Sequence, residues 1–295
     1  MLTRQQSGFI NRHGISTMHD YWAESLFSGE PYFEKGVLSY FDGRVVTICG
    51  FPLRGCPPIE NGDLHGLIHS WIRKNGVEAI LVVGPKRLDL RCLRRYGFRR
   101  THSAGGRDTS CELLIDCTDA PNTILDHTFY RRSVKTGLNS RVKCGSIVSV
   151  EYLKLIELFF DQNDLTDYLA QLICVLPVLL RSRRVWLIEA RKNGRLCGFA
   201  TLHKAFSDIA VGLFLAHDRR TSYVSDFLYG EALMQANKLG VHYVNVGASP
   251  SFGLYSFKRK WGGEPLVPPY FLVQWTRGRL VRRTYASWCP RVIRL

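Results

Sequence analysis

Apolar and polar positions alternate along this 295-residue chain in two successive stretches that repeat one theme. In the first, residues 16–27 have helical spacing, and two β-rich runs, 36–41 and 44–49, flank Asp42-Gly43, a dipeptide suited to a tight hairpin. After Pro57-Pro58, helical patterns at 64–74 and 88–96 alternate with apolar runs at 78–83 and 111–116. Residues 118–122, Thr-Asp-Ala-Pro-Asn, read as a linker, and a basic helix is expected over 124–135. The second stretch predicts helices at 150–160 and 165–181, a hairpin of 185–190 with 196–202 about Asn193-Gly194, a strand at 209–215 and a helix at 222–239. The expectation is an α/β chain of two domains, residues 1–120 and 121–295.

The segment from Gly240 to Gly263 concentrates the candidate chemistry. Residues 241–246 read as a buried strand, Gly247-Ala248 breaks it, and Ser249 before Pro250 has the form of an N-cap followed by proline at the first helical position. Gly262-Gly263 closes the helix. At about 100° per residue, Leu254, Phe257 and Trp261 fall on one helical face and Lys258 falls among them, while Arg259 and Lys260 point elsewhere. An ammonium among apolar neighbours is costly unless it meets an anion, a carbonyl or a polarised ligand. A lysine that reaches along the helix to solvent, or that pairs with a structural acid, answers the same pattern.

The run Asn245-Val-Gly-Ala-Ser, followed by Gly253-Leu-Tyr-Ser-Phe-Lys-Arg-Lys-Trp-Gly-Gly263, resembles the signature of the FemABX peptidyltransferases, the lysyl-phosphatidylglycerol synthases and related tandem proteins. The resemblance covers roughly residues 184–275 and is weaker over 77–116. It implies two tandem domains of the GCN5-related N-acetyltransferase (GNAT) fold, each a mixed, largely antiparallel sheet flanked by helices. It also implies that Phe257 and Lys258 sit beside the reacting acyl group, with Lys258 steadying the carbonyl oxygen as it becomes an oxyanion. Acetyl-CoA-dependent members of that superfamily carry a glycine-bearing turn after the central strand, where backbone amides approach the pyrophosphate. The matching place here is His217-Asp-Arg-Arg-Thr-Ser-Tyr223, which has no glycine. A looser turn using Arg219, Arg220 and the amides near Ser222 could still hold a phosphate there.

Composition narrows the function classes. Hydrophobic residues make up 45% of the chain, enough for packed cores, and no window reaches the length of an apolar membrane span. With no apolar core of signal-peptide length at the start, a cytoplasmic protein is expected. The nine cysteines show no CxxC pair and no zinc-type spacing, so reduced buried thiols and no metal site are expected. Forty Lys and Arg against twenty-five acids give a net charge of +15. Residues 86–107 hold eight basic side chains against Asp89 alone, and 277–295 hold six arginines and no acid. Such clusters suit tRNA or another polyanion, with Arg91, Arg94, Arg95, Arg282 and Arg283 as candidate contacts, and can equally be solvated faces.

Further candidates surround the signature. Glu231 and Gln235 project into the apolar stripe of the 222–239 helix, so Glu231 either satisfies an internal partner or takes up the substrate amine or its proton. Asp226 suits the first turn of a helix. Tyr255 and Asn245, beside the signature, could bind acceptor or donor, as Asp226 could. Taken with the resemblance, these residues lead to the expectation of an N-acyltransferase that moves an amino acid from aminoacyl-tRNA, as co-substrate, to a small-molecule or peptide amine, with no bound cofactor. An acyl-CoA or carrier-thioester donor on the same fold, and a nucleic-acid-binding module without catalysis, are the alternatives.

Overall fold

The computed structural model describes residues 30–34, 36–41, 43–49, 60–74, 76–84, 90–105, 113–163, 176–177, 180–204, 208–247, 249, 252–265 and 271–277. These fall into two compact units. One is drawn from Met1–Glu112, Ala248–Tyr255 and Pro265–Leu295, the other from Leu113–Gly247 and Ser256–Glu264.

The first unit is built on a six-stranded sheet in the order β1-β2-β3-β4-β13-β5. The expected hairpin is present as β2 (Val37–Phe41) and β3 (Val45–Cys49), with Gly43 in the left-handed region that a tight turn needs (φ 95°). An unanticipated strand, β1 (Glu30–Glu34), extends its edge. Strand β4 (Ala79–Gly84) runs parallel to β3. The helix α1 (Asn61–Ile72) makes that crossover, and Leu64, Leu67, Ile68, Trp71 and Ile72 form the apolar stripe it lays on the sheet. The helix expected at 88–96 is a 3-10 helix, Arg91–Tyr96, that leads into β5 (Arg99–Gly105). Strand β13 (Phe271–Thr276) inserts between β4 and β5, antiparallel to both, although a boundary at 120 would assign it to the second half. The helix expected at 16–27 lies outside the described residues, as does most of that expected at 165–181.

The second unit carries a seven-stranded sheet in the order β12-β6-β11-β10-β9-β8-β7. Its first strand in sequence is β6 (Leu113–Asp116), so residues 118–122 form no link between units. They turn at Thr118 and Asp119 into α2 (Ala120–Asp126). The single helix expected at 124–135 is two, because His127 is extended (φ −65°, ψ 120°) and separates α2 from α3 (Thr128–Lys135). Strand β7 (Asn139–Cys144), missed in the sequence, and α4 (Val150–Asn163) follow. Strands β8 (Val185–Lys192) and β9 (Arg195–Lys204) then form a hairpin on Asn193-Gly194, both at positive φ (51° and 79°). Strand β10 (Ile209–His217), helix α5 (Val224–Lys238), strand β11 (Tyr243–Asn245), helix α6 (Phe252–Lys260) and strand β12 (Glu264–Pro265) complete the order. All pairings in this sheet that are resolved residue by residue are antiparallel except β10 with β11.

Strand periodicity of two gives this sheet two covered faces. On one, α4 packs Tyr152 against Phe199 (5.4 Å between ring centroids) and Phe159 and Phe160 against Phe214. On the other, α5 covers Ile188, Ala190, Ala200, Leu202 and Ala210, and α2 and α3 pack against α5. A Cβ at Gly198 would stand 2.4 Å from Val224 Cγ1, so a glycine is what lets the start of α5 lie against β9. The face under α4 also holds a buried charge network. Glu189 is fully buried and accepts from Lys143 Nζ at 2.5 Å, from Arg191 Nε at 2.7 Å and from the Tyr152 hydroxyl. Burial alone would raise its pKa, but the bonds from Arg191, Lys143 and Tyr152 outweigh it and hold the carboxyl at about 2.

Candidate active site

The site is organised by the turn between β11 and α6. Asn245 ends β11 with its side chain buried, and its Oδ1 accepts from the Gly247 amide at 2.8 Å. Gly247 is left-handed (φ 68°), a conformation that turns its carbonyl toward the following helix at little steric cost. That carbonyl accepts from Lys258 Nζ at 3.0 Å. Lys258 is 4% exposed, so the sequence reading of a lysine on an inward face holds, and the alternative of an ammonium led out to solvent does not. The described part of α6 begins at Phe252. Ser249, the expected N-cap, is buried ahead of it, while Pro250, expected at the first helical position, lies outside the described residues.

The end of α6 fixes Lys258 from the backbone side. Gly262 is left-handed (φ 81°) and its amide bonds the Arg259 carbonyl at 2.9 Å, while the Gly263 amide bonds the Lys258 carbonyl at 3.0 Å. Helices commonly stop on such a paired bond at a left-handed glycine. A Cβ at Gly263 would meet the Lys258 oxygen at 2.8 Å. Arg259 closes the same turn, bonding the Gly263 carbonyl at 2.6 Å and Glu264 at 2.6 Å.

Lys260, which the sequence gives no task, is engaged. Its ammonium meets Asp226 Oδ1 at 2.7 Å and lies over the rings of Phe129 (3.7 Å) and Phe257 (4.6 Å). Asp226 Oδ1 also accepts from the Trp261 indole at 3.2 Å, and Trp261 stacks on His127 at 4.1 Å. The Asp226 carboxylate thus ties α5 to α6, which is more than the helix-dipole role its first-turn position suggests. Phe257 is half-buried, edge-on to Tyr229 at 4.8 Å. Tyr255 is half-buried on the same helix.

Glu231 has a partner that no local pattern could reveal. Its Oε1 accepts from the Tyr130 hydroxyl of α3, 101 residues away in sequence. Burial first, and this bond second, raise the Tyr130 pKa. The Tyr130 ring stacks on Phe227 and fills the space left by Gly230, where a Cβ would stand 2.3 Å from Tyr130 Cδ2. The structure therefore joins Glu231 to α3, the internal-partner alternative of the sequence reading.

At the end of β10 the amides of residues 218–221 are bound to their own chain. The amide of Asp218 bonds the Cys197 carbonyl, that of Arg219 bonds Gln162 Oε1, that of Arg220 bonds Asp218 Oδ1, and that of Thr221 bonds the Asp218 carbonyl. The guanidinium of Arg220 holds both Asp218 oxygens, Arg195 adds a third contact at 2.9 Å, and the Arg220 bonds foremost keep the Asp218 carboxyl at about 2. Arg219 Nη1 donates to the Gln162 carbonyl at 2.7 Å. His217 Nε2 lies 2.8 Å from Ser225 Oγ, and burial pushes the imidazole pKa down. Strands β10 and β11 pair only over Ile209–Val211 and Tyr243–Asn245, after which β10 runs on to His217. The two parallel strands therefore part just where the Asn245-Gly247 turn begins.

The basic candidates divide. Arg91, Arg94 and Arg95 are exposed on the 3-10 helix of the first unit, and Arg282 and Arg283 lie outside the described residues. Among the described residues no group of three His, Cys, Asp or Glu could hold a metal ion, and no helix is long and apolar enough to cross a membrane. Cys117 is a buried thiol whose pKa burial pushes up to about 12.

Neither a protein-family model nor a curated protein matches the sequence. Solved structures do match. FemX shares 13% identity over 92% of this chain and 96% of its own, with a TM-score of 0.60. The C-terminal domain of a putative lysylphosphatidylglycerol synthetase from Agrobacterium fabrum shares 15% over 88% and 86%, with a TM-score of 0.52. A tandem GNAT protein from the clavulanic acid biosynthesis pathway shares 16% over 82% and 79%, with a TM-score of 0.51. The chain has the tandem GNAT fold, two mixed and largely antiparallel sheets with flanking helices. It resembles in architecture the FemX and lysylphosphatidylglycerol synthetase structures.

Proposed function

We propose that the protein is an N-acyltransferase that moves an aminoacyl group from aminoacyl-tRNA to an amine, forming an amide or peptide bond. The observation that carries this reading is the buried Lys258 ammonium, aimed at the Gly247 carbonyl where β10 and β11 part. Ester aminolysis needs a neutral amine held against an activated carbonyl and a donor where negative oxygen develops. An ammonium carries three N–H groups, so the bond to Gly247 is compatible with a second one to a forming oxyanion. Preorganised donors of this kind are worth about 3–4 kcal/mol of barrier. Phe257 would flank the acyl group and Tyr255 the acceptor. Asn245 and Asp226 would act by fixing the turn and the helix that present Lys258. Glu231 remains a candidate for the acceptor amine through its second carboxylate oxygen.

The first part of the loop that follows β10, residues 218–221, favours a tRNA ester over an acyl-CoA. A pyrophosphate is gripped by unspent amides, and those of residues 218–221 have internal acceptors. The net charge of +15 supports a polyanionic donor, and a tRNA-borne donor implies a cytoplasmic location. Incubation with a mixed pool of charged tRNAs, and separately with acyl-CoAs, each with a panel of amines, tests the reading. Loss of charged tRNA dependent on both protein and amine is expected. Loss of acyl-CoA alone would replace it with the thioester alternative, and loss of neither would favour the binding module.

A further inference from the structure

The first unit carries an exposed basic surface with an aromatic pair set into it. Side chains of a 3-10 helix recur every three residues, so Arg91–Tyr96 presents three ridges. Leu93 and Tyr96 share one of them. Leu93 is fully buried in the core, and Tyr96, one turn further on, emerges to 39% exposure. Arg91 with Arg94, and Cys92 with Arg95, form the ridges on either side, and all three arginines are exposed. The Tyr96 ring meets the imidazole of His69 on α1, with centroids 5.6 Å apart and planes at 70°. Arg73, exposed, caps α1 one turn beyond His69. Arg100 of β5 stands opposite Trp275 in register, and the Trp275 indole belongs to the core beneath α1. Arg100 therefore rises on the same side of the sheet as α1 and the 3-10 helix.

On α1, the 3-10 helix and β5 the one acidic residue is Asp63, at the opposite end of α1 from His69. The arginines supply charge, and Tyr96, braced by His69, leaves part of its ring open to solvent among them. A double-stranded nucleic acid would use the charges and leave the ring idle. Unpaired nucleotides use both, because each offers a base to stack and a phosphate to neutralise.

We propose that this surface binds unpaired nucleotides of an RNA, one base stacking on Tyr96 beside His69 while Arg94, Arg95, Arg73 and Arg100 hold the backbone phosphates. The choice of RNA rests on the aminoacyl-tRNA reading above, and binding alone tests it. The full-length protein is titrated by fluorescence anisotropy with a short single-stranded RNA of mixed sequence and with an RNA duplex of the same length, each across a salt series. The single strand should bind more tightly. Tyr96→Ala should weaken it by about tenfold without altering the salt slope, and Tyr96→Phe should restore it. Arg95→Gln, at an exposed position, should lower the slope for the single strand by ~0.7. Native single-strand affinity in Tyr96→Ala, an unchanged slope in Arg95→Gln, or tighter binding of the duplex would each overturn the proposal. RNA binding with these signatures but no loss of charged tRNA would sink the proposed activity alone, whereas transfer activity with Tyr96-independent binding would sink this surface alone.

Discussion

The Lys258 ammonium and the Gly247 carbonyl, eleven residues apart, are joined by a 3.0 Å hydrogen bond, and the backbone behind the ammonium is held by Gly263. Lys258 is thus fixed at both ends of its side chain inside a nine-residue helix too short to be stable by itself. A lysine that served packing alone could be replaced by an isosteric apolar chain with little loss. Lys258→Met should fold, bind donor nearly as well as the parent, and turn over roughly a hundredfold or more slowly. Single-turnover transfer measured beside a thermal melt checks this, and near-parental turnover in a folded variant would rule out the oxyanion role.

Asn245 acts on the same ammonium at one remove, by holding the Gly247 amide. Asn245→Ala should lower kcat about tenfold with KM little changed, since a misplaced donor costs more in the transition state than in binding. It should also cost about 1 kcal/mol of stability for the lost bond. Asn245→Asp retains an acceptor at that position and should recover most of the rate. Equal rates in the Ala and Asp variants would detach Asn245 from the turn.

Glu189 makes a prediction about acid stability. Its folded pKa of about 2 lies below the ordinary carboxyl value of 4.5, so its contribution is complete above pH 4.5 and is lost as pH falls toward 2. Glu189→Gln should cost about 3 kcal/mol at neutral pH, the low end for a broken buried pair, because Arg191 keeps Glu151 and Lys143 reaches solvent. Urea unfolding of parent and variant should converge between pH 4.5 and 2. A constant gap across that window would place the carboxyl's stabilisation elsewhere.

Gly230 should tolerate no side chain while Tyr130 is present. Gly230→Ala puts a methyl 2.3 Å from Tyr130 Cδ2, and overpacking of this kind costs about 1–3 kcal/mol. Tyr130→Leu removes the obstacle, so in a double-mutant cycle by chemical unfolding the alanine should cost much less when Tyr130→Leu is already in place. Additive losses would mean that the ring moves aside freely.

What could be read from the sequence is what short-range physics fixes. The Asn193-Gly194 hairpin was legible because both residues accept the positive φ that the turn demands, and Lys258 was legible because its inward phase follows from its spacing to Trp261, although Leu254, expected on the same face, is 36% exposed. The 3-10 helix was placed but mistyped, since Leu93 and Tyr96 satisfy a period of three as readily as part of a longer helix. Long-range pairs left no local trace. Tyr130 reaches Glu231 across 101 residues and Lys260 reaches Asp226 across 34, so neither the partner of a carboxylate open to two readings nor the engagement of a lysine read as idle could be named from spacing. The split at His127 follows from one extended residue inside a helical pattern.

The position of β13 bears on how the chain is made. Strands β4, which ends at Gly84, and β5, which ends at Gly105, are separated in the sheet by a strand that begins only at Phe271, so during synthesis their facing edges have no partner until residue 276 leaves the ribosome. The second sheet has all its strands by residue 265 and can close first. The first sheet is therefore completed after the second, and until β13 is made the edge of β4 that it will cover stays open, an edge of the kind that invites aggregation or chaperone capture.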